Sequence, residues 1–204
     1  MKHCTNPVSG LILAGGKSRR MGANKAFLEV GGRPIIERVI EQVALVSQEI
    51  LLLTNTPDEY AHLGYPTVPD VYPGQGSLIG IYSGLKAASH PVGLVVACDM
   101  PFLDASLLRY MISLAPGHDV VVPRTEQGVE PLHALYSKTC LPAMEGLLQR
   151  DTLKVIAFYS QVRVRYVEQA EIETLDPQHL SFFNVNSPAD LQWARRMAAR
   201  AGLT

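Results

Sequence analysis

Charge is scarce in this chain of 204 residues: Asp, Glu, Lys and Arg together make up 18% of it, below the quarter usual for soluble domains. The formal net charge is -1, so no global field draws the chain to nucleic acid, and any positive site must be local. Cysteine is nearly missing too. Cys4, Cys98 and Cys140 have neither metal-ligand spacing nor an evident pairing, which excludes a disulfide scaffold and leads us to expect a reducing, cytoplasmic setting. Cys98 closes an apolar run and reads as a buried, inert thiol. No window approaches the roughly 20 apolar residues of a membrane span, and residues 1–9 are too short and too polar for a signal peptide. Internal repeats, low-complexity tracts, a Ser-His-Asp or Cys-His set and a paired-carboxylate motif are all wanting.

What is abundant is apolar: hydrophobic residues make up 47%. That suits an α/β protein whose central strands are covered on both faces, and the length fits one domain spanning 1–204. Gly10–Ala14, Glu49–Thr54, Val92–Cys98, Asp119–Pro123 and Leu132–Tyr136 read as strands, with a short one at Thr67–Pro69. Between them, Ile35, Ile36, Val39, Ile40 and Val43 recur at helical spacing, with Pro34 placed to open that helix. Leu78 to Ala88 and Ala105 to Leu114 repeat the pattern, Leu141–Gln149 reads as helical, and Leu153–Tyr159 as a short helix. Val162, Val164 and Tyr166 alternate with Arg163 and Arg165, as in a half-buried edge strand. Ser187, Pro188 and Asp190 form a capping pattern before a terminal helix. Strand, helix, strand at the start of the chain predicts a mostly parallel, Rossmann-like sheet in a three-layer α/β/α sandwich.

Open parallel sheets bind ligands beyond the carboxyl ends of their strands, and three polar clusters fall there. The first is Gly15-Gly16, followed by Lys17, Arg19, Arg20 and Lys25. Small residues let backbone N–H groups approach an anion, and Lys or Arg neutralises it. The order is neither a P-loop nor a Gly-x-Gly-x-x-Gly turn, so ATP hydrolysis of the P-loop type and a standard dinucleotide site are not indicated. A plain strand-to-helix turn is the competing reading. The second is Asp99, at the tip of Val92–Cys98, where a carboxylate can hold Mg2+ together with phosphate oxygens; the alternative is a helix N-cap. The third is Asn184 and Asn186, able to meet a ligand or to cap a turn. Asp70 can reach a ligand or end a strand, and His133 suits a structural role as well as a catalytic one.

Leu13-Ala14-Gly15-Gly16-Lys17-Ser18-Arg19-Arg20-Met21-Gly22 with Lys25 resembles the signature of the MobA-like nucleotidyltransferases. The likeness continues through Gly32-Arg33-Pro34-Ile35-Ile36, Val68-Pro69-Asp70, Gly76-Ser77-Leu78-Ile79-Gly80-Ile81, Ala97-Cys98-Asp99-Met100-Pro101-Phe102, Glu130-Pro131-Leu132-His133-Ala134 and Phe183-Asn184-Val185-Asn186-Ser187-Pro188. Ser77 stands where many such chains carry proline. The resemblance implies a fold of the nucleotide-diphospho-sugar transferase type. It is closest to members that transfer GMP from GTP to Mo-molybdopterin, releasing pyrophosphate and forming molybdopterin guanine dinucleotide. It also implies that Leu13, Ala14, Gly15 and Gly16 line the base and ribose, and that Arg19 and Lys25 engage the triphosphate. Asp70 and Asp99 then fall at nucleotide or metal positions, with Asp99 the Mg2+ ligand, and Asn184 and Asn186 lie on the acceptor side. Transient contact with proteins that deliver the cofactor or mature molybdoenzymes is a further expectation. A CTP-dependent cytidylyltransferase, a sugar-1-phosphate nucleotidyltransferase and a non-catalytic GTP-binding adaptor are the competing readings.

Overall fold

The computed structural model describes residues 7–15, 24–72 and 76–202. In chain order, β1 (Val8–Leu13) is followed by a 3-10 turn at Lys25–Phe27, the hairpin β2 (Glu29–Val30) and β3 (Arg33–Pro34), and α1 (Ile35–Ala44). Then come β4 (Glu49–Leu53), α2 (Pro57–Tyr60), β5 (Thr67–Val68), α3 (Ser77–Ala87), β6 (Val92–Ala97) and α4 (Ala105–Ser113). The second half runs through β7 (Val120–Thr125), β8 (Gly128–Val129), β9 (His133–Ser137), α5 (Leu141–Leu148), a 3-10 segment at Val155–Gln161 and β10 (Val164–Glu168). It closes with α6 (Gln169–Ile172), a 3-10 turn at Leu180–Phe182 and α7 (Pro188–Arg200).

The main sheet has the order β10-β7-β9-β6-β1-β4-β5, with β8 paired to β7. β1 is parallel to both β4 and β6, β4 to β5, and β10 to β7. β9 is antiparallel to β6 and β7 and separates them. Alternation of side chains sends residues to opposite faces. Ile12, Ile50, Leu52 and Leu94 join a core with Ile36 and Val39 of α1, Leu107 and Leu108 of α4, and Ala194 of α7. Leu11, Leu51, Leu53 and Val95 face Leu78, Ile81 and Leu85 of α3 and Met144 and Leu147 of α5. Two cores on one sheet make the three-layer sandwich.

The apolar stripe of α1, the strands and the terminal helix stand where the sequence puts them. Ser187 caps α7 by accepting from the Asp190 N–H at 3.2 Å, while Asp190 accepts from the Ser187 N–H at 2.8 Å. Pro34 differs from expectation: it pairs with Glu29 in the small hairpin and precedes α1, whose first N–H, on Ile35, donates to the Leu28 carbonyl at 2.9 Å. The segment read as a helix over Leu153–Tyr159 begins only at Val155 and is 3-10 throughout.

Candidate active site

The carboxyl ends of β6, β1, β4 and β5 lie side by side and carry Asp99, Gly15, Asn55 and Asp70 just beyond them. Three strand spacings separate the outer two, about 14 Å across. This row is the length of an extended phosphate-bearing ligand rather than of a point site. At its centre β1 turns over the sheet. The Ala14 N–H donates to the Leu53 carbonyl at 3.0 Å, and the Leu13 carbonyl accepts from the Cys98 N–H at 3.1 Å. Ala14 is buried and Gly15 exposed, so the chain reaches open space at Gly15. Gly16, Lys17, Arg19 and Arg20 lie outside the described residues.

Lys25 gathers the β6 end of the row. Its Nζ donates to Asn186 Oδ1 at 2.7 Å and stands 3.8 Å from Asp99 Oδ2, an ion pair beyond hydrogen-bond length. Asp99 is joined to the same segment through its backbone, because the Val185 N–H donates to the Asp99 carbonyl at 3.0 Å. Residues far apart in sequence are therefore brought into contact. The side chains of Lys25 and Asp99 are 21% and 19% exposed, accessible to a ligand yet sheltered from bulk water. Burial raises the Asp99 carboxyl above its ordinary value, and Lys25 pulls it back only in part. Asp99 is not a helix cap: Asp104 does that work, accepting from the Ser106 and Leu107 N–H groups at 2.6 and 3.1 Å. The neighbouring Cys98 is inert, its thiol pushed up to about 12 by burial and by Asp99.

Asp70 belongs to the other end. Its Oδ2 accepts from Asn55 Nδ2 at 2.7 Å, and its N–H donates to Asn55 Oδ1 at 2.9 Å. This two-bond clasp fixes the carboxylate against the tip of β4. A Cβ added to Gly80 would lie 2.7 Å from Leu13 Cδ2, so the start of α3 packs closely on Leu13, and the Asp70 carboxylate lies beside it, 3.7 Å from the same point. Among the described residues Asn186 meets Lys25, whereas Asn184 Nδ2 donates to the Phe182 carbonyl at 2.9 Å and braces the turn. His133 is buried at the start of β9 and faces the core.

Sequence reasoning missed the scaffold that holds Lys25. Asn24 caps the 25–27 turn, accepting from the Ala26 N–H at 3.1 Å, and donates to Tyr60 Oη and Glu59 Oε2 at 2.9 and 2.8 Å. Tyr60 in turn donates to the Ala14 carbonyl at 2.8 Å. One chain of hydrogen bonds thus sets the backbone before Gly15 and the cation at Lys25 in a common frame. Burial pushes the Tyr60 hydroxyl up to about 12, so it stays a donor. A single polar residue before Lys25 and a tyrosine at the end of a one-turn helix leave no pattern by which to find them.

A parallel sheet that changes direction of growth at β1, with a glycine turn, a lysine and two carboxylates at its strand tips, is the architecture of nucleotide-handling α/β enzymes. The particular family follows from comparison. Residues 10–164 match the model of the MobA-like NTP transferase domain, and the chain belongs to that family. It is similar to a probable molybdenum cofactor guanylyltransferase of Pelotomaculum thermopropionicum, 46% identical over 190 residues, with 93% of each chain covered. A molybdenum cofactor guanylyltransferase of Desulfosudis oleivorans is 39% identical, over 96% of this chain and 97% of the relative. Among solved structures, molybdopterin-guanine dinucleotide biosynthesis protein A of Archaeoglobus fulgidus superposes with a TM-score of 0.82 at 25% identity, covering 95% of this chain and 99% of that one.

Proposed function

We propose that this protein transfers GMP from GTP to Mo-molybdopterin, releasing pyrophosphate and forming molybdopterin guanine dinucleotide. The relatives that carry the guanylyltransferase name match along nearly their whole length. The observation that carries the chemistry is the contact of Lys25 with both Asp99 and Asn186. It supports a reading in which the strand tips take the nucleotide, the segment before α7 takes the acceptor, and Lys25 stands between them.

The reaction asks for little proton transfer. The acceptor's terminal phosphate is already an anion, and it attacks the α-phosphorus while pyrophosphate leaves in line. The barrier lies in bringing two anions together and in stabilising the charge that gathers on the transferring group. Gly15 offers backbone at the strand tip for the nucleoside, the Asn55-held Asp70 fixes the far end of the row, and Lys25 neutralises phosphate charge, roles the family resemblance extends to Gly16 and Arg19. Asn186 orients Lys25 and lies on the acceptor side with Asn184.

Asp99 fits Mg2+ as one of the one or two carboxylates such an ion takes beside phosphate oxygens and water. The fit rests on geometry: a carboxylate 19% exposed at a strand tip, met among the described residues by Lys25 at 3.8 Å, is still short of positive charge, and burial raises it above its ordinary value accordingly. Among the described residues no group of three or more His, Cys, Asp or Glu could hold a metal ion by itself. When bound there, Mg2+ supplies charge neutralisation for the phosphates.

No helix among the described residues is long and apolar enough to cross a membrane. Action in the cytoplasm, in transient contact with proteins that hand over or receive the cofactor, completes the reading. Purified protein offered GTP, CTP, ATP and UTP, with pyrophosphate release measured against molybdopterin and against sugar phosphates, tests it. Release that requires GTP and molybdopterin together supports it. A preference for CTP or for a sugar phosphate, or tight GTP binding without transfer, overturns it.

A further inference from the structure

His133 and Ser181 carry polar groups that the reaction above does not use. Both side chains are wholly buried. Nδ1 and Nε2 of His133 and Oγ of Ser181 have no hydrogen-bond partner among the described residues. His133 starts β9 opposite Val96, next to the end of β6 and so close beneath the Asp99 tip. Its ring packs edge-on against Phe182, with centroids 4.9 Å apart. Phe182 and Ser181 belong to the turn whose Leu180 and Ser181 N–H groups donate to the Asp176 carboxylate at 3.0 and 2.8 Å. From that turn the chain passes through Asn184 and reaches Val185 and Asn186, which grip Asp99 and Lys25.

A buried polar atom left unpaired costs much of what a hydrogen bond is worth, and an apolar side chain of similar volume would avoid the cost. Keeping three such atoms on two neighbouring residues calls for a partner they share. Internal waters fill this role, each typically making about three hydrogen bonds to buried polar groups. We propose that His133 is a positioning residue for the acceptor side: its imidazole is bridged to Ser181 by an internal water, and the bridge fixes the turn that presents Asn184 and Asn186 at the strand tips. Burial pushes the His133 imidazole down to about 4, against the pull of Asp176 and of the nearby Ser181 backbone, which itself lies outside good hydrogen-bond geometry. The neutral ring then offers one donor and one acceptor, the complement of a water molecule.

The kinetic part of the test rests on the guanylyl-transfer reading; the structural part does not. In the full-length protein, water-proton relaxation dispersion and a high-resolution crystal structure are expected to show a long-lived internal water bonded to His133 and Ser181. It is expected to be lost in His133→Phe/Ser181→Ala, with the Lys25–Asn186 contact lengthened or broken. With GTP and molybdopterin, His133→Phe is expected to raise the acceptor KM by about tenfold, as misplacement of a positioning segment does. The KM for GTP stays within about twofold. His133→Gln, which keeps a donor and an acceptor, is expected to recover most of the loss, as a merely space-filling role would not allow. If His133→Phe does not fold, Ser181→Ala carries the same comparison. No internal water in the parent, an intact Lys25–Asn186 contact in the double variant, or equal changes in both KM values would each overturn the proposal. If the parent transfers nothing to molybdopterin, the guanylyl-transfer reading fails, and the water and the Lys25–Asn186 contact still decide the role of His133.

Discussion

At the scale of single residues, Lys25 and Asp99 are ordinary surface-type side chains made special by partial burial. In water a pair 3.8 Å apart would contribute little; at the sheltered strand tips, on the proposed reading, Lys25 would meet phosphate charge directly and Asp99 only through the Mg2+ it would hold. Removing one well-placed electrostatic contact typically costs about 2.7–4 kcal/mol of barrier, or roughly 100–1,000-fold in rate. Lys25→Ala and Asp99→Ala are each expected to lose single-turnover guanylyl transfer by that factor with an unchanged circular-dichroism spectrum, and near-normal rates would remove them from the mechanism. Tyr60→Phe is a different kind of change. It leaves the Ala14 carbonyl and the Asn24 amide without their common partner, a penalty of about 1–3 kcal/mol for buried groups. The expected result is a lower melting temperature together with weaker GTP binding by calorimetry, because Ala14 leads directly into Gly15.

At the scale of elements, the site depends on how closely helices lie on the sheet. A Cβ on Gly84 would come within 2.7 Å of Leu53 Cδ1, and one on Gly93 within 2.5 Å of Leu11 Cδ1. α3 can therefore approach β1 and β4 closely enough for its first turn to pack on Leu13, beside Asp70. Gly84→Ala is expected to destabilise by roughly 1–3 kcal/mol through overpacking, read as a shift in the urea midpoint. A second junction ties three elements together: Glu171 of α6 accepts from Tyr110 of α4 at 2.6 Å and pairs with Arg165 of β10. Burial raises this carboxyl, but hydrogen bonds from Arg165, Tyr110 and the Glu168 N–H outweigh it and bring the pKa down to about 2. A carboxylate depressed on folding stabilises above its unfolded pKa and loses that stability as pH falls through the folded value. Glu171→Gln is thus expected to lower the melting temperature above about pH 4.5 and to converge with the parent near pH 2. A constant difference across that window would contradict the assignment.

At the scale of the whole molecule, most of the fold was legible because it is written in local periodicity. The stripe Ile35, Ile36, Val39, Ile40, Val43 and the run Val92–Ala97 are buried as expected. The terminal helix begins at Pro188 behind its Ser187 cap. Short 3-10 turns and two-residue strands were not legible, since three residues hold no period. Nor was the antiparallel insertion of β9 between β6 and β7, because its apolar run Ala134–Tyr136 reads the same in either direction. The candidate site divides similarly. Asp99 and Asp70 stand at strand tips, but the Asn55 clasp and the Asn24–Tyr60 brace join residues whose local sequence says nothing of each other.

The order of apolar and polar residues determined, without help from the folded chain, that strands alternate with helices and that glycine, lysine and carboxylate groups follow strand ends. Burial of a periodic face allows few other solutions. Only the tertiary structure decided that Lys25 meets Asn186, 161 positions away, and that Asp104 rather than Asp99 caps α4. Contacts between distant segments depend on sheet order and on side-chain direction at the strand tips, and a linear pattern encodes neither.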